Sequence, residues 1–547
     1  MRFLCATLLS CLFFLFGSTV RPACAQPAAS DPPTPPHRGL DVLHYDFALT
    51  LSDASDRIDG VATVRVQATA DTLSAVRLDL IGPPASDGDA GMTVTGVTED
   101  GADVAFAQAR NHVRIQPGDA LASGAERTYV VRYRGVPADG LIIGTNRHGD
   151  RTFFGDNWPN RARHWLPVVD HPADKATVSW TVTAPEAYRV VANGALVSDS
   201  TGGGVRTTRW QTDVPLPTKV AVIGVAPFAV DTVATVDGVP VQSWVYPQDR
   251  SAGFRDLGQA PPILQFFEER LGAYAYDKLA NVQSTTRYGG MENASSIFYS
   301  EQAVADGDDS TPLLAHEIAH QWFGNVATEA DWPHLWLSEG FATYLTALYL
   351  EHARGDAVFQ RYMDAARRSA LTFSRRNPTE PLVDTTYTDP NELLTTNPYR
   401  KGAWVLHMLR QQLGTDTFWT GLRTYYERFR NDNATTADLR QVLEEVSGQD
   451  LRAFFDQWTR RAGHPQITAT WRHDADAGVC VVDLKQTQSG PPFALTLEIG
   501  PETPANRVEP VDLRERTHTA RLDCPTAPDA LTLDPNVRVF AEMTMAN

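Results

Sequence analysis

The residues best suited to chemistry lie in a helical segment that carries two histidines four residues apart. His316 and His320 frame the pattern H-E-x-x-H. This spacing places both imidazoles on one helix face, where they can reach the same metal ion. Glu317 follows the first histidine and faces the same side of the cleft without binding the metal. It is therefore the candidate general base that takes a proton from an attacking water molecule.

A catalytic zinc ion needs a third protein ligand and one open position. Glu339, in the segment WLSEGF, is the candidate third ligand, and eighteen residues separate it from His320. We expect Ser338 to be the N-cap of a second helix, which puts Glu339 in its first turn. These residues predict one Zn²⁺ per chain, bound by His316, His320 and Glu339. The alternative interpretation is an accidental motif on a surface helix and a first-turn acid favoured by the helix dipole.

A second motif strengthens the zinc hypothesis and suggests a family. G-x-M-E-N stands upstream of the histidines and consists of Gly289, Gly290, Met291, Glu292 and Asn293. Together the two motifs resemble those of the M1 (gluzincin) family of zinc metallo-aminopeptidases. The resemblance implies hydrolysis of the N-terminal peptide bond of peptides by metal-assisted attack of water. It also implies a short form of the family, without the large helical C-terminal domain of longer members.

The resemblance assigns roles to residues of the second motif. Glu292 is similar to the glutamate that pairs with the free α-ammonium of the substrate and so restricts cleavage to the first residue. Gly289 and Gly290 lack side chains, so a peptide backbone can approach this segment as an added strand. We therefore expect the whole G-x-M-E-N segment to bind substrate. The alternative for Glu292 is a solvated acid in a loop.

Tyr399, in the segment NPYRKG, resembles the tyrosine of the family's Y-E-K-G segment. A phenol at this position would stabilise the oxyanion that develops on the scissile carbonyl. Arg400 stands where the family usually has an acid, so the resemblance does not define which residues surround the phenol. The alternative for Tyr399 is an ordinary packing residue.

One segment departs from the family pattern. Many members carry a glutamine or glutamate in the N-terminal domain that also contacts the substrate amine. The ungapped match here is Trp158, in GDNWPN. Asp156 or Asn157 could substitute for the missing group, or Trp158 could shape the wall of the S1 pocket, which holds the substrate's first side chain.

Other polar residues near the motif have less defined roles. Asn325 and Asp331 are candidates to support the metal-binding histidines, because such histidines donate their second N–H to an oxygen. His164, His171 and His334 lack ligand spacing to the main motif. We expect these three to be ordinary polar or core histidines.

The elements that position these residues form three blocks. Short alternating segments such as YDFALTLS predict strands at 37–238, helical patterns that end at glycine occupy 239–463, and strand patterns return at 464–547. The sequence predicts a multidomain α+β protein. It would have an N-terminal antiparallel β domain, a thermolysin-like, mainly α catalytic domain and a small C-terminal β-sandwich.

The amino-terminal residues predict export. Arg2 precedes an apolar run from Phe3 to Phe16, and ACA at 23–25 is a cleavage site, so 1–25 is interpreted as a signal peptide. Residues 26–36 are a Pro-rich linker, and we expect a periplasmic or extracellular protein. Cys480 and Cys524 could then form a disulfide or remain two buried thiols.

Composition limits the partners of the protein. The 547 residues carry a formal net charge of −18 and no basic cluster, which argues against nucleic acid. No apolar run of membrane-spanning length follows residue 25, so we expect no stable membrane insertion. The partners expected are peptides with a free N-terminus, and the protein is expected to be a monomer. The predicted function is zinc aminopeptidase; the alternatives are a thermolysin-like zinc endopeptidase and a non-catalytic peptide-binding scaffold.

Overall fold

The computed structural model of the protein describes residues 39–84, 90–501 and 508–546. The predicted signal peptide and linker lie outside these residues. The described residues form a multidomain α+β protein with a β-rich N-terminal domain, a helical domain and C-terminal strands. No helix among them has the length and apolar character needed to cross a bilayer.

The N-terminal domain is built from strands in which buried and more exposed residues alternate, as the sequence pattern predicts. These strands are β1 (Leu40–Thr50), β2 (Ile58–Ala68), β3 (Thr72–Leu73), β4 (Val76–Asp79), β5 (Gly91–Glu99), β6 (Ala102–Asp103), β7 (Phe106–Gln108), β8 (His112–Ile115), β9 (Leu121–Ala122), β10 (Glu126–Val136), β11 (Leu141–Thr145), β12 (Arg151–Gly155), β13 (Lys175–Pro185), β14 (Arg189–Ala192), β15 (Ala195–Gly202), β16 (Val205–Pro217) and β17 (Ile223–Ala226).

An eight-stranded sheet in the order β15-β16-β13-β1-β2-β10-β5-β6 forms most of this domain. Its neighbouring strands are antiparallel except for β1 and β13, which pair in parallel. The predicted antiparallel domain is wrong at this pair, because a long connection brings β13 back beside β1 in the same direction. A second sheet, in the order β11-β12-β17-β14, includes the strand that ends just before Trp158.

A mixed five-stranded sheet underlies the candidate site. Its strands are β18 (Ala229–Val236), β19 (Val239–Val245), β20 (Leu279–Ser284), β21 (Gly290–Met291) and β22 (Ser296–Ser300), in the order β18-β19-β20-β22-β21. This sheet combines strands from before and after residue 238, where the sequence predicts the end of the N-terminal domain. The predicted domain boundaries stay predictions. The short strand β21 lies at the sheet edge, so it leaves one side open to a further strand.

The helices follow the predicted periodic segments. They are α1 (Arg250–Leu257), α2 (Ala260–Leu271), α3 (Thr311–Ala319), α4 (Trp336–Arg354), α5 (Asp356–Arg376), α6 (Gly402–Leu413), α7 (Thr415–Phe429), α8 (Thr436–Ser447) and α9 (Arg452–Phe455), with a short parallel pair, β23 (Ala327–Glu329) and β24 (Asp432–Ala434). The ends of α8 illustrate the local causes: Thr435 and Asp438 form a capping box, and Gly448 ends the helix with φ 69°.

The C-terminal strands form two small sheets. The strands are β25 (Gln466–Asp474), β26 (Val479–Gln486), β27 (Leu495–Pro501), β28 (Glu509–Leu513), β29 (Thr517–Asp523), β30 (Leu531–Leu533) and β31 (Glu542–Met545). The sheet orders are β29-β26-β25-β31 and β28-β27-β30, and both sheets contribute to one apolar cluster. Cys480 and Cys524 are bonded to each other across β26 and the end of β29, with Cα atoms 5.4 Å apart. The pairing that the sequence left open is present in the structure.

Candidate metal and peptide-binding site

Helices α3 and α4 bring the three predicted metal ligands together. The Nε2 atoms of His316 and His320 lie 3.2 Å apart, and Oε2 of Glu339 lies 3.3 Å from each of them. Ligand atoms bound to one tetrahedral zinc ion at about 2.0–2.1 Å are separated by about 3.3 Å. The three side chains therefore have the mutual spacing of a zinc site.

The chemistry of the donor set also fits a metal ion. Oε2 of Glu339 is buried and has no hydrogen-bond partner among the described residues. The Nε2 atoms of His316 and His320 face each other, so their lone pairs need a shared cation or proton. Two imidazoles, one carboxylate and an open cavity suit Zn²⁺ with a free fourth position.

A contact between α3 and α4 orients the second histidine. His320 is the C-cap of α3, and its Nδ1 lies 3.2 Å from the carbonyl oxygen of Phe323 and 3.0 Å from Oγ of Ser338. A Cβ atom at Gly324 would collide with that hydroxyl. The predicted N-cap role of Ser338 is wrong, because α4 begins earlier, at Trp336, and Ser338 lies within the helix. Glu339 is in the first turn, as predicted.

The predicted supporting roles of Asn325 and Asp331 are wrong. Nδ2 of Asn325 donates to the carbonyl oxygen of Glu292 at 2.6 Å. Asp331 accepts from the backbone N–H of Trp332 and lies 3.6 Å from Nε2 of His171. Neither side chain contacts a metal-binding histidine in the structure.

His164, His171 and His334 stay apart from the metal site, as the sequence predicts. Nδ1 of His334 lies 3.0 Å from Oγ1 of Thr436. The His164 ring is largely buried in the N-terminal domain, and this burial lowers its pKa to about 4. Within the described residues, His164, His171 and His334 join none of the clusters that could hold a metal.

Glu317 is buried beside the metal ligands. Its carboxylate belongs to a cluster with Glu292 and His320 in which the ligand atoms lie within 4.8 Å of one another. Burial raises the pKa of Glu317 well above its ordinary value, and the neighbouring carboxylates add to the shift. The carboxylate lies against the backbone of Gly290, where a larger residue would leave it no room.

Glu292 has the environment expected of a cation-binding carboxylate. Its side chain is buried and lines the same cavity, and its Oε1 has no hydrogen-bond partner among the described residues. Gln321 and Asn325 fix the backbone, because both side-chain amides donate to the Glu292 carbonyl oxygen at 2.9 and 2.6 Å. Met291 also lines the cavity. Asn293 is buried and is not among the lining residues, so its role in substrate binding stays a prediction.

The segment after Glu292 is attached to the N-terminal domain. Asn193, in the loop after β14, donates from Nδ2 to the carbonyl oxygen of Ala294 at 2.7 Å. The N–H of Gly194 donates to Oγ of Ser295 at 2.8 Å, and Nζ of Lys278 donates to the Gly194 carbonyl oxygen at 2.7 Å. The first two bonds hold Ala294 and Ser295, the residues that follow Glu292, to a loop of the N-terminal domain.

Tyr399 lies over the metal ligands on a π-helical turn, Asn397–Lys401, that leads into α6. Its ring is nearly parallel to that of His316, with centroids 6.1 Å apart. Burial raises the pKa of Tyr399 well above its ordinary value, and Glu339 adds to the shift, so the phenol stays protonated and can donate a hydrogen bond. Gly340 and Gly402 allow this turn to approach α4: a Cβ on either one would lie 2.9 Å from the Cα of the other.

The structure answers the question that the sequence left open at GDNWPN. Asp156 is buried in an ion pair with Arg161, and Asn157 is buried with its amide bonded to Thr218, Ala221 and Trp165. Asp156 also accepts hydrogen bonds from the Thr286 hydroxyl and the Arg287 backbone N–H, and neither Asp156 nor Asn157 is among the residues that line the cavity. Trp158 lines the cavity instead, where its ring packs edge-to-face on those of Tyr288 and Trp332.

The cavity that joins these groups has a volume of about 490 Å³. Several lining residues carry no motif and were not predicted from the sequence: Pro312, Leu313, Thr343, Tyr362 and Leu394. Helical spacing gave one usable signal, because Pro312 and Leu313 lie one turn before His316 on α3. Tyr362 on α5 and Leu394 come from distant parts of the chain and had no local signal.

A β-rich domain followed by helices that hold a His-His-Glu set defines the zinc metallopeptidase class. Residues 42–220 match the Peptidase M1 N-terminal domain, and residues 255–458 match the Peptidase family M1 domain. The chain belongs to peptidase family M1.

Relatives and solved structures agree with this assignment. Aminopeptidase M1-A of Oryza sativa subsp. japonica is 30% identical over 347 residues, covering 60% of this chain. Glutamyl aminopeptidase of Rattus norvegicus is 28% identical over 358 residues, covering 62% of this chain. In both comparisons the match spans only 38% of the relative's own length.

The crystal structure of an M1 zinc metallopeptidase from Deinococcus radiodurans is similar to this chain, with a TM-score of 0.67 and 26% identity. The match covers 77% of this chain and 94% of that one. A mutant of that enzyme bound to a Tyr-Ser-Ala substrate matches over the same shares, with a TM-score of 0.65 and 26% identity. The family and these structures indicate a Zn²⁺ cofactor.

Proposed function

We propose that the protein is a zinc-dependent aminopeptidase that hydrolyses the N-terminal peptide bond of peptides. One observation carries the proposal: the buried carboxylate of Glu292, whose Oε1 has no hydrogen-bond partner among the described residues, lies in the same cavity and the same cluster as Glu317 and His320. A carboxylate so close to the metal ligands leaves room for one residue between an α-ammonium group and the scissile carbonyl. The similar proteins, which include two aminopeptidases and a metallopeptidase bound to a Tyr-Ser-Ala substrate, support it.

The side chains divide the chemistry between them. His316, His320 and Glu339 would hold Zn²⁺, and the bound ion would supply Lewis-acid polarisation of the carbonyl and lower the pKa of the attacking water. Glu317 takes the proton from that water and delivers it to the leaving amine. The Tyr399 hydroxyl donates a hydrogen bond to the oxyanion that develops on the oxygen of the scissile carbonyl.

Substrate binding completes the proposal. Glu292 pairs with the α-ammonium, and the open edge of β21 accepts the peptide backbone near Gly289 and Gly290. Trp158 forms a wall of the pocket for the first side chain, and no second acid or amide from its segment joins Glu292.

We also propose that the protein is exported and monomeric, and that its two C-terminal sheets pack as a β-sandwich. The apolar run and ACA site before residue 26 support export, and the Cys480–Cys524 bond suits an oxidising compartment. The apolar cluster shared by the two sheets supports the sandwich. Cell fractionation tests export, and size-exclusion chromatography with light scattering tests the monomer.

Glu317→Gln tests the catalytic proposal, with a panel of aminoacyl-p-nitroanilides as substrates. The variant should keep its zinc and lose turnover by about a thousandfold, because the base is absent while the ligands remain. The exposed Glu427 on α7 offers a matched control, and Glu427→Gln should keep wild-type turnover. Retained activity in Glu317→Gln would remove Glu317 from the role of base.

N-terminal acetylation separates the aminopeptidase from the endopeptidase alternative. An acetylated peptide has no α-ammonium for Glu292, so the wild-type enzyme should cleave the free peptide and reject the acetylated one. Equal cleavage of both would favour an endopeptidase. Absence of bound zinc and of any cleavage would favour the peptide-binding scaffold.

A further inference from the structure

Arg400 places a positive charge on the wall of the cavity, and no carboxylate of the described residues pairs with it. Its Nη1 lies 3.3 Å from the hydroxyl oxygen of Tyr362, and its Cζ lies 5.9 Å from the centre of that ring. Among the described residues it forms no ion pair with an acid. A guanidinium carries five N–H donors, so one hydroxyl contact leaves most of them available.

The proposed hydrolysis assigns a role to each carboxylate of the cavity but none to Arg400. Three carboxylates line the cavity, those of Glu292, Glu317 and Glu339. In the proposed mechanism Glu339 binds the metal ion, Glu292 pairs with the substrate ammonium, and Glu317 transfers the proton. Among the described residues that line the cavity, Arg400 is the one arginine or lysine. A carboxylate of the substrate is its natural counterion.

Arg400 and the amine anchor Glu292 both line the cavity, but they have different neighbours. Glu292 clusters with Glu317 and His320. Arg400 instead follows Tyr399, whose ring stacks on His316, and it reaches towards α5 through Tyr362. If a peptide places its ammonium on Glu292 and its first carbonyl at the metal, its second residue can extend past His316 towards Arg400.

The surroundings of Arg400 favour a specific ion pair. Its side chain is half-buried, and apolar atoms of Pro312, Leu313 and Leu394 line the same cavity. An ion pair in such a partly dry site is stronger than one on an open surface, because less water screens it. The planar guanidinium can also hold both oxygens of a carboxylate, which a lysine cannot do.

We propose that Arg400 binds a carboxylate on the second residue of the substrate and thereby makes the enzyme selective for an acidic group after the scissile bond. This inference rests on the proposed aminopeptidase function. The carboxylate has two possible sources, the α-carboxylate of a dipeptide and the side chain of aspartate or glutamate in a longer peptide.

Two pairs of substrates distinguish these sources. Their first residue is the one that the aminoacyl panel shows to be cleaved fastest. In the first pair the second residue is alanine with a free carboxylate or as the carboxamide. In the second pair it is glutamate or glutamine, both as carboxamides. The measured quantity is the ratio of kcat/KM for the charged substrate to that for its neutral counterpart.

We expect the wild-type ratio to be about ten in at least one pair, since charge-assisted hydrogen bonds to a guanidinium are among the stronger ones. The pair that shows the preference identifies the source of the carboxylate. Arg400→Gln should bring the ratio close to one, and Arg400→Lys should keep part of it. Arg423 is exposed on α7, so Arg423→Gln removes the same charge elsewhere and should keep the wild-type ratio.

The salt dependence of the wild-type enzyme gives a test that needs no variant. Added salt should lower the ratio towards one, because it screens the pair. A wild-type ratio near one in both pairs, or a ratio that Arg400→Gln leaves unchanged, would overturn the assignment of Arg400 while peptides are still cleaved. Failure to cleave any peptide would instead overturn the proposed function.

Discussion

The carboxylate of Glu317 occupies the space that a Cβ atom at Gly290 would need. The candidate base and the strand that receives the peptide are therefore in direct contact. Gly290 occupies the variable position of the G-x-M-E-N motif, and its lack of a side chain leaves room for this contact as well as for the approach of a substrate backbone. The absence of a side chain at residue 290 thus fixes where the base stands.

Gly290→Ala should displace the Glu317 carboxylate and lower kcat/KM by about a hundredfold, since a shift of about 1 Å in a catalytic group has an effect of this size. Zinc content should not change, because the ligands are untouched. Gly289→Ala is the matched comparison: its added Cβ would meet no atom within 4 Å, so its effect should be much smaller. Equal losses in the two variants would show that the contact with Glu317 is unimportant. Both are measured with the fastest aminoacyl-p-nitroanilide.

Gly402→Ala should separate the π-helical turn from α4 and move Tyr399. The added Cβ would lie 2.9 Å from the Cα of Gly340, closer than packed atoms tolerate. We expect a loss of about 1–3 kcal/mol in the free energy of unfolding and a fall in kcat larger than any change in KM. Gly96→Ala is the control, because nothing lies within 4 Å of its added Cβ. Wild-type kcat in Gly402→Ala would contradict the role given to this close approach.

Glu339→Gln should weaken zinc binding by at least about tenfold, because an amide replaces the one negatively charged ligand. The measurement is zinc per chain after dialysis against a weak chelator. Glu317→Gln is the comparison, since it makes the same chemical change beside the site without removing a ligand. Chelation of the wild-type protein should also lower its Tm, and zinc should restore it. Zinc retained in Glu339→Gln and lost in Glu317→Gln would reverse the two assignments.

His407 should make the protein less stable in mild acid. Its Nε2 lies 2.8 Å from the Val537 carbonyl oxygen and its Nδ1 lies 3.0 Å from the Tyr344 hydroxyl oxygen. Burial lowers the pKa of His407 to about 4. Between pH 6.5 and 4 the unfolded chain therefore binds a proton that the folded chain does not, so the free energy of unfolding falls as the pH falls.

Urea unfolding at pH 7 and pH 5 tests this dependence. His407 alone should lower the free energy of unfolding by about 2 kcal/mol over this interval. In His407→Gln the difference between the two pH values should shrink by that amount. His352 is exposed at the end of α4, and His352→Gln should keep the wild-type difference. An unchanged difference in His407→Gln would mean that folding does not shift the pKa of this histidine.

The parts of the site that depend on a single helix were predictable. The 3.6-residue period places His316, Glu317 and His320 on one turn whatever surrounds the helix. Glu339 was placed correctly in a first turn, yet the helix start was not, because α4 begins at Trp336. Helix boundaries depend on the chain that packs before them as well as on capping residues.

The partners of polar side chains were less predictable, because they depend on how distant segments meet. Asn325 bonds the backbone of Glu292, while Ser338 takes the position beside His320 that Asn325 was expected to fill. The prediction of an antiparallel domain failed at β1 and β13 for the same reason. A period of two in the sequence indicates a strand but not the direction in which it pairs. Arg400 meets Tyr362 across 38 residues of sequence, and no local pattern signals that contact.

The attachment of Ala294 and Ser295 to Asn193 and Gly194 has a consequence for which peptide bond is cut. The metal ligands belong to α3 and α4, and Glu292 is held from two directions. Gln321 and Asn325, which follow α3, bond its carbonyl oxygen, and the loop at Asn193 and Gly194 bonds the two residues after it. The distance between the Glu292 carboxylate and the metal ligands therefore depends on both sets of bonds, and we expect substitutions in the Asn193 loop to alter the position of cleavage without changing a zinc ligand.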